Sequence, residues 1–263
     1  MKVLITGGSG QVGFELRRQL ATLGEILAPN RAALDLLDAD AVDAFLAQHQ
    51  PDLIVNAAAY TAVDNAETDL EAATRLNAEL PAQLAAYCQQ RGGWLVHYSS
   101  DYVYNGEGDT PWQEGDATGP CNAYGATKLA GDEAVAKSGC QHLIFRTSWV
   151  YAARGNNFMK TMLRLGRERE ALSIVNDQIG APTPARLIAQ VTALAFTTHN
   201  PPSKSLNPFL RARNIISILV QYLELKHFLC GFRIEEYHAP ASKLLCAQFR
   251  LIPEKMGVVV NSN

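Results

Sequence analysis

The sequence predicts an α/β fold, a doubly wound parallel sheet with a smaller C-terminal substrate lobe whose completeness is left open, on two observations. Short β-branched runs alternate with helical periods as far as residue 198, and a glycine-rich turn joins the first run to the first helix. Val3-Leu4-Ile5 reads as the first strand; a helix over 11–23 and a second strand over 25–28 complete a βαβ opening. A helix over 40–48, a strand over 53–55, a helix over 70–90 and a strand over 94–98 continue the alternation. A helix over 123–135 and a strand over 142–146 close a Rossmann-type unit spanning residues 1–150. Helical patterns over 156–169 and from Ala181-Pro182-Thr183-Pro184 to about 198 begin a substrate lobe, residues 151–198. Residues 199–263 differ: eight Lys and Arg face four Asp and Glu, reversing the charge sign of the rest, and the best element is an apolar segment over 215–225.

The bulk composition excludes several classes. With 263 residues, 48% hydrophobic and 19% charged, the chain can bury a full core. A net charge of −3 gives no basic field for nucleic acid. Cys88, Cys121, Cys140, Cys230 and Cys246 form no CxxC pair, and their odd number suits reduced thiols. The opening apolar run is too short for a signal peptide, and no stretch approaches the roughly 18 apolar residues of a membrane span, so a cytoplasmic protein without a membrane partner is expected.

Gly7, Gly10 and Gly13 fall at G-x-x-G-x-x-G spacing between a strand and a helix. Glycines allow the tight turn and the close approach of a pyrophosphate, which the helix N-terminus favours electrostatically. A turn that binds nothing is the plain alternative. An NAD-selective site expects an acidic residue about 20 positions on, at the end of the second strand, whereas Asn30-Arg31 stands there. A guanidinium suits a 2′-phosphate, so NADPH is the expected cofactor; Asp35, followed by Leu36, keeps NADH open. Arg31 as a solvated loop charge is the competing reading.

Tyr124 and Lys128 stand four apart at the start of a helix, on one face. The ammonium is expected to favour the phenolate and lower a pKa ordinarily near ~10. Ser100 follows a strand at the carboxyl edge where open α/β sheets place ligands, and its hydroxyl suits a substrate carbonyl. Alone, a Y-x-x-x-K is more often a surface pair; beside the glycine turn and the serine it reads as general acid–base machinery. His97 reads as an ordinary strand residue.

Several stretches resemble the extended short-chain dehydrogenase/reductase superfamily and, within it, the dTDP-4-dehydrorhamnose reductases. They are Thr6 to Gly13, Asn56 to Asp64, His97 to Tyr104, Tyr124 to Gly131, Phe145 to Tyr151 and Asn176 to Thr183. The resemblance implies reduction of the 4-keto group of a dTDP-bound 6-deoxyhexose to dTDP-L-rhamnose, with hydride from nicotinamide and a proton from Tyr124. It implies a Ser100, Tyr124 and Lys128 triad. Gly10, Gln11, Val12, Ala59, Tyr60, Thr61, Tyr98 and Lys128 would touch the cofactor, and Asp101 and Trp149 the dTDP-sugar. Turn capping for Asp101 and core packing for Trp149 are the alternatives. Some relatives hold magnesium between subunits, for which Glu15 is a weak candidate, and a homodimer is an allowed assembly; no cluster has metal-ligand spacing.

The resemblance stops near residue 198, although the family pattern continues. A substituted or truncated C-terminus, as a frame change would give, is the expectation, with cofactor binding kept and turnover weakened; a divergent lobe is the alternative. Two rival functions share the motifs. An epimerase or dehydratase regenerates its cofactor, and a dehydratase adds a second acid where Tyr102 stands. A cofactor-binding regulatory subunit would gain nothing from a poised proton donor.

Overall fold

The computed structural model describes residues 1–108, 110–169, 171–175, 178, 180–199, 215–217 and 257–261. Strands β1 (Lys2–Thr6), β2 (Glu25–Leu27), β3 (Leu53–Asn56), β4 (Trp94–Ser100), β5 (Gln141–Thr147) and β9 (Ile215–Ser217) form one sheet in the order β2-β1-β3-β4-β5-β9. Every pair in it is parallel. The chain leaves β1 toward β2 on one side and returns to β3 on the other, so the carboxyl ends of β1 and β3 flank a topological switch point, the crevice where such sheets bind ligands.

A parallel sheet is covered on both faces, which is why its central strands are continuously apolar. Side chains alternate between the faces. Val3, Ile5, Leu53, Val55, Val96, Leu143 and Phe145 pack with α1 (Gln11–Gln19) and α7 (Ala185–His199), through Leu16, Ile188, Ala189 and Phe196. Leu4, Ile54, Leu95 and Ile144 face the other way, onto α2 (Ala39–His49), α4 (Leu80–Arg91) and α5 (Ala123–Lys137). Helix α7 thus returns from the second lobe to the sheet.

The single helix expected over 70–90 is three pieces: α3 (Leu70–Thr74), a π-helical turn (Arg75–Glu79) and α4. Pro81 is the reason. It has no N–H to bond the carbonyl four residues back, at Asn77, and a helix relieves such a gap with a wider turn. The freed Asn77 carbonyl faces α5 at Gly131, where a Cβ would lie 2.1 Å from it.

The second lobe begins with β6 (Val150–Tyr151), α6 (Phe158–Glu168), β7 (Ala171–Val175) and β8 (Thr183–Pro184); β6 pairs with β8, and β7 with β10 (Gly257–Asn261). Of the apolar segment expected over 215–225 only β9 is described. The rest of it, most of residues 199–263 with their cysteines, and Asn176, Asp177 and Ile179 of the last motif lie outside the described residues. No helix among the described residues is long and apolar enough to cross a membrane.

Gly131→Ala is expected to push α5 off the π turn and to cost about 1–3 kcal/mol of stability, read as a lower urea midpoint at unchanged slope.

Candidate active site

The glycine turn is built for close approach. Gly7 has φ +65°, and a Cβ there would meet the Ala57 carbonyl at 2.6 Å; one on Gly13 would meet the Gly7 carbonyl at 2.2 Å. Gly10 begins α1 without any side-chain cap, and no acidic residue stands in the first turn. The leading N–H groups of α1, at Gln11, Val12 and Gly13, therefore face the crevice uncapped, a cradle that fits a pyrophosphate. A loop before α6 ties onto this turn: Arg154 Nε donates to the Ser9 carbonyl (3.2 Å) with its guanidinium over the Phe14 ring (4.7 Å), and Asn157 Nδ2 donates to Gln11 Oε1 (2.8 Å).

At the end of β2, the Asn30 side chain accepts from Ala33 N–H (3.0 Å) and shapes the turn that carries Arg31. Arg31 is 78% exposed and lies 3.9 Å from the Asp35 carboxylate, a surface pair of small worth. Asp35 also accepts from Leu37 N–H, and Leu36 packs against the core under α2 and α4. Beyond β3, the Tyr60 N–H and carbonyl are both bonded to the buried Asn77 side chain (2.9 and 3.1 Å), whose amide also reaches Thr127 Oγ1 on α5 (3.2 Å). Asn77 thereby locks Ala59-Tyr60-Thr61 to the helix carrying Tyr124 and Lys128.

Asn122 caps α5 by accepting from Gly125 N–H (2.8 Å), which sets Tyr124 in the first turn beside the end of β4. There Ser100 Oγ donates to Asp101 Oδ1 (3.0 Å) and accepts from Tyr102 N–H (3.2 Å), close to the Tyr124 phenol. Burial, with the nearby Asp101, Tyr102 and Asp132 charges, pushes the Tyr124 phenol up to about 12, against a lowering by the neighbouring Ser100. This corrects the expected lowering by Lys128. The ammonium donates instead to the Tyr98 carbonyl and lies 3.5 Å from His97 Nε2, and burial brings it down to about 8, with Asp132 acting in the opposite direction. Helical spacing put the two groups on one face but could not reveal their burial.

The remaining expected residues are placed as follows. Tyr98 turns its ring to the opposite face of the sheet, stacked on Phe145 and bonded to Thr192 of α7 (2.7 Å), so only its carbonyl enters the catalytic side. Asp101 Oδ1 accepts from Ser100, and burial raises its carboxyl against a lowering by Ser148 and Ser100. Trp149 has φ +42°, which is rare for a bulky residue, and its indole rests against Gly180 and near Phe158 (6.3 Å). Glu15 faces Arg186 Nε (3.8 Å), and no group of three metal-ligating side chains occurs among the described residues, so the magnesium expectation gains no donor set.

The sequence reading missed a polar layer beneath this site. Thr6, Asn56 and His97 are in register across β1, β3 and β4, and Ser99 and Arg146 share their face of the sheet. Thr6 Oγ1 donates to Asn56 Oδ1 (2.6 Å), Asn56 Nδ2 meets His97 Nδ1 (3.2 Å), and Ser99 Oγ donates to Asp132 (2.7 Å). The signal was present as polar residues at core positions of apolar strands, and as Asp132 four residues after Lys128.

The parallel order, the glycine cradle and the Ser100, Tyr124 and Lys128 set at the carboxyl edge define a dinucleotide-binding fold of the extended short-chain dehydrogenase/reductase type. The RmlD substrate binding domain family matches residues 1–207. The dTDP-4-dehydrorhamnose reductase of Salmonella typhimurium is 52% identical over 200 residues, covering 74% of this chain and 67% of that one. Among solved structures, a dTDP-4-dehydrorhamnose reductase from Clostridium acetobutylicum superposes with TM-score 0.73 at 39% identity, covering 76% of this chain and 71% of its own. The Bacillus anthracis dTDP-4-dehydrorhamnose reductase, solved in complex with NADP, gives TM-score 0.71 at 37% identity, covering 75% and 70%. The chain belongs to the dTDP-4-dehydrorhamnose reductase family and spans about two thirds of the length of the curated relatives it matches.

Asn77→Ala leaves the Tyr60 backbone groups without partners at a cost of about 1–3 kcal/mol, and weaker cofactor binding at unchanged helix content is the expected result in a fluorescence titration.

Proposed function

We propose that this chain reduces the 4-keto group of dTDP-4-dehydro-6-deoxy-L-mannose to dTDP-L-rhamnose with NAD(P)H, NADPH being preferred. The observation that carries the reading is Tyr124: a buried, protonated phenol close to Ser100, on the same helix face as a buried lysine, in a sheet whose glycine turn offers an uncapped phosphate cradle. A reduced nicotinamide bound there supplies hydride to the carbonyl carbon. Ser100 orients the carbonyl oxygen, and Tyr124 gives that oxygen its proton, so the ketone becomes a hydroxyl. A phenol pushed up to about 12 suits this task, because it keeps its proton until negative charge develops on the substrate. Lys128, brought down to about 8, is positioned one turn further on to return a proton to the phenol near neutral pH.

Asp101 and Trp149, at the rim between the sheet and the second lobe, are assigned to the sugar nucleotide. Residues 1–150 are assigned to the dinucleotide-binding domain and residues 151–198 to the start of the substrate lobe. Net reduction separates this reading from an epimerase or dehydratase, and the joint presence of Ser100, Tyr124 and Lys128 favours it over a regulatory subunit.

Tyr124→Phe is expected to lower kcat by about a hundred- to ten-thousandfold while leaving cofactor affinity within twofold, measured by NADPH oxidation with the dTDP-4-keto sugar. An unchanged kcat overturns the assignment. Arg31→Ala is expected to raise KM for NADPH about tenfold and leave KM for NADH alone, since a charge-assisted bond to the 2′-phosphate is worth about 1.5–3 kcal/mol. Equal effects on both cofactors would make Arg31 a solvated charge.

A further inference from the structure

We infer that Asp132 and His97 are positioning residues for Lys128: the carboxylate holds the buried ammonium in its charged form, and the imidazole keeps the two from closing into a direct ion pair. The inference rests on the proposed reading only in giving Lys128 a part in turnover; the arrangement itself stands on geometry. Lys128 is 1% exposed, and a buried ammonium needs a compensating charge. Its Nζ meets the Tyr98 carbonyl and lies 3.5 Å from His97 Nε2, and Asp132 Oδ1 lies 3.7 Å from the same imidazole nitrogen. Lys128 and Asp132 are one turn apart on α5, and their charged ends meet at that nitrogen, with no direct ion pair between them among the described residues.

The protonation of that imidazole follows from its neighbours. The Thr6 hydroxyl donates to Asn56 Oδ1, which turns Asn56 Nδ2 toward His97 Nδ1. An amide nitrogen only donates, so Nδ1 must offer its lone pair and Nε2 must carry the proton. His97 therefore directs an N–H at the Asp132 side and cannot accept from the Lys128 ammonium. Burial and the Lys128 charge hold it neutral, well below its ordinary range. Asp132 Oδ1 has no partner at bonding distance, whereas Oδ2 accepts from Ser99 and faces Arg146 Nε at 3.5 Å. The carboxylate is thus anchored from β4 and β5 and left aimed at the imidazole.

The groups that act on Lys128 are His97 and the Tyr98 carbonyl from β4 and Asp132 from α5, with Arg146 of β5 acting through Asp132. Of these, Asp132 is the one that raises the proton affinity of Lys128 against the lowering by burial. Removing its charge should lower that affinity further. Turnover that depends on protonated Lys128 falls as pH rises through its pKa, so this alkaline limb should move to lower pH.

The test is Asp132→Asn in the full chain, with two readouts. Lysine ε-carbons labelled with ¹³C report Lys128 ionisation by NMR without any substrate, the signal being assigned by its loss in Lys128→Gln. The midpoint is expected about one pH unit below wild type, and the alkaline limb of kcat with NADPH and the dTDP-4-keto sugar should move with it while cofactor affinity stays within twofold. A folded Asp132→Asn with the Lys128 midpoint unmoved, or with activity lowered equally at every pH, overturns the inference. If Asp132→Asn does not fold, Asp132→Ser decides. It removes the same charge and should shift both readouts in the same direction; no shift counts against the inference. A wild type that fails to turn over the sugar, yet shows the Lys128 shift in the variant, would fault the functional reading and support this inference.

Discussion

Burying the Lys128 ammonium constrains the whole carboxyl end of the sheet. A charge taken out of water must find compensating dipoles and a counter-charge close by. Strand alternation supplies them, because Thr6, Asn56, His97, Ser99 and Arg146 all project to the face that α5 covers. Two residues earlier along β1, β3 and β4 that face is apolar, with Leu4, Ile54 and Leu95 in the core. The sheet thus changes from hydrophobic to polar over its last residues, and the change coincides with the switch point where a ligand crevice must lie.

The same economy separates the cofactor and catalytic sides. Helix α1 is packed by Gly13 directly on the glycine turn, and its leading N–H groups stay uncapped. The loop before α6 braces this turn through Arg154 and Asn157. On the other side, Asn77 links the loop after β3 to Thr127 and so ties the cofactor-side loop to the catalytic helix. That link needs the π turn imposed by Pro81.

Much of this was legible in the sequence. Strand and helix order came from apolar period, the cradle from three glycines between a strand and a helix, and the shared face of Tyr124 and Lys128 from four-residue spacing. What escaped depends on register and burial, which no local window contains. His97 reads as an ordinary strand residue until β3 brings Asn56 beside it. Asn77 looks like a mid-helix residue until the missing N–H of Pro81 widens the turn. The bracing by Arg154 joins residues 145 positions apart. The proton affinity of Tyr124 is higher than four-residue spacing implies, because spacing shows the neighbouring cation and not the desolvation that raises the phenol.

The central claim is that this polar end of the sheet carries out a net carbonyl reduction. The most direct measurement incubates the chain with dTDP-4-dehydro-6-deoxy-L-mannose and an equimolar amount of NADPH deuterated at its transferable position. The account predicts oxidation of the cofactor in step with sugar consumed, and deuterium at C4 of the product. Label retained in the cofactor, with no net oxidation while the sugar is rearranged, would contradict it.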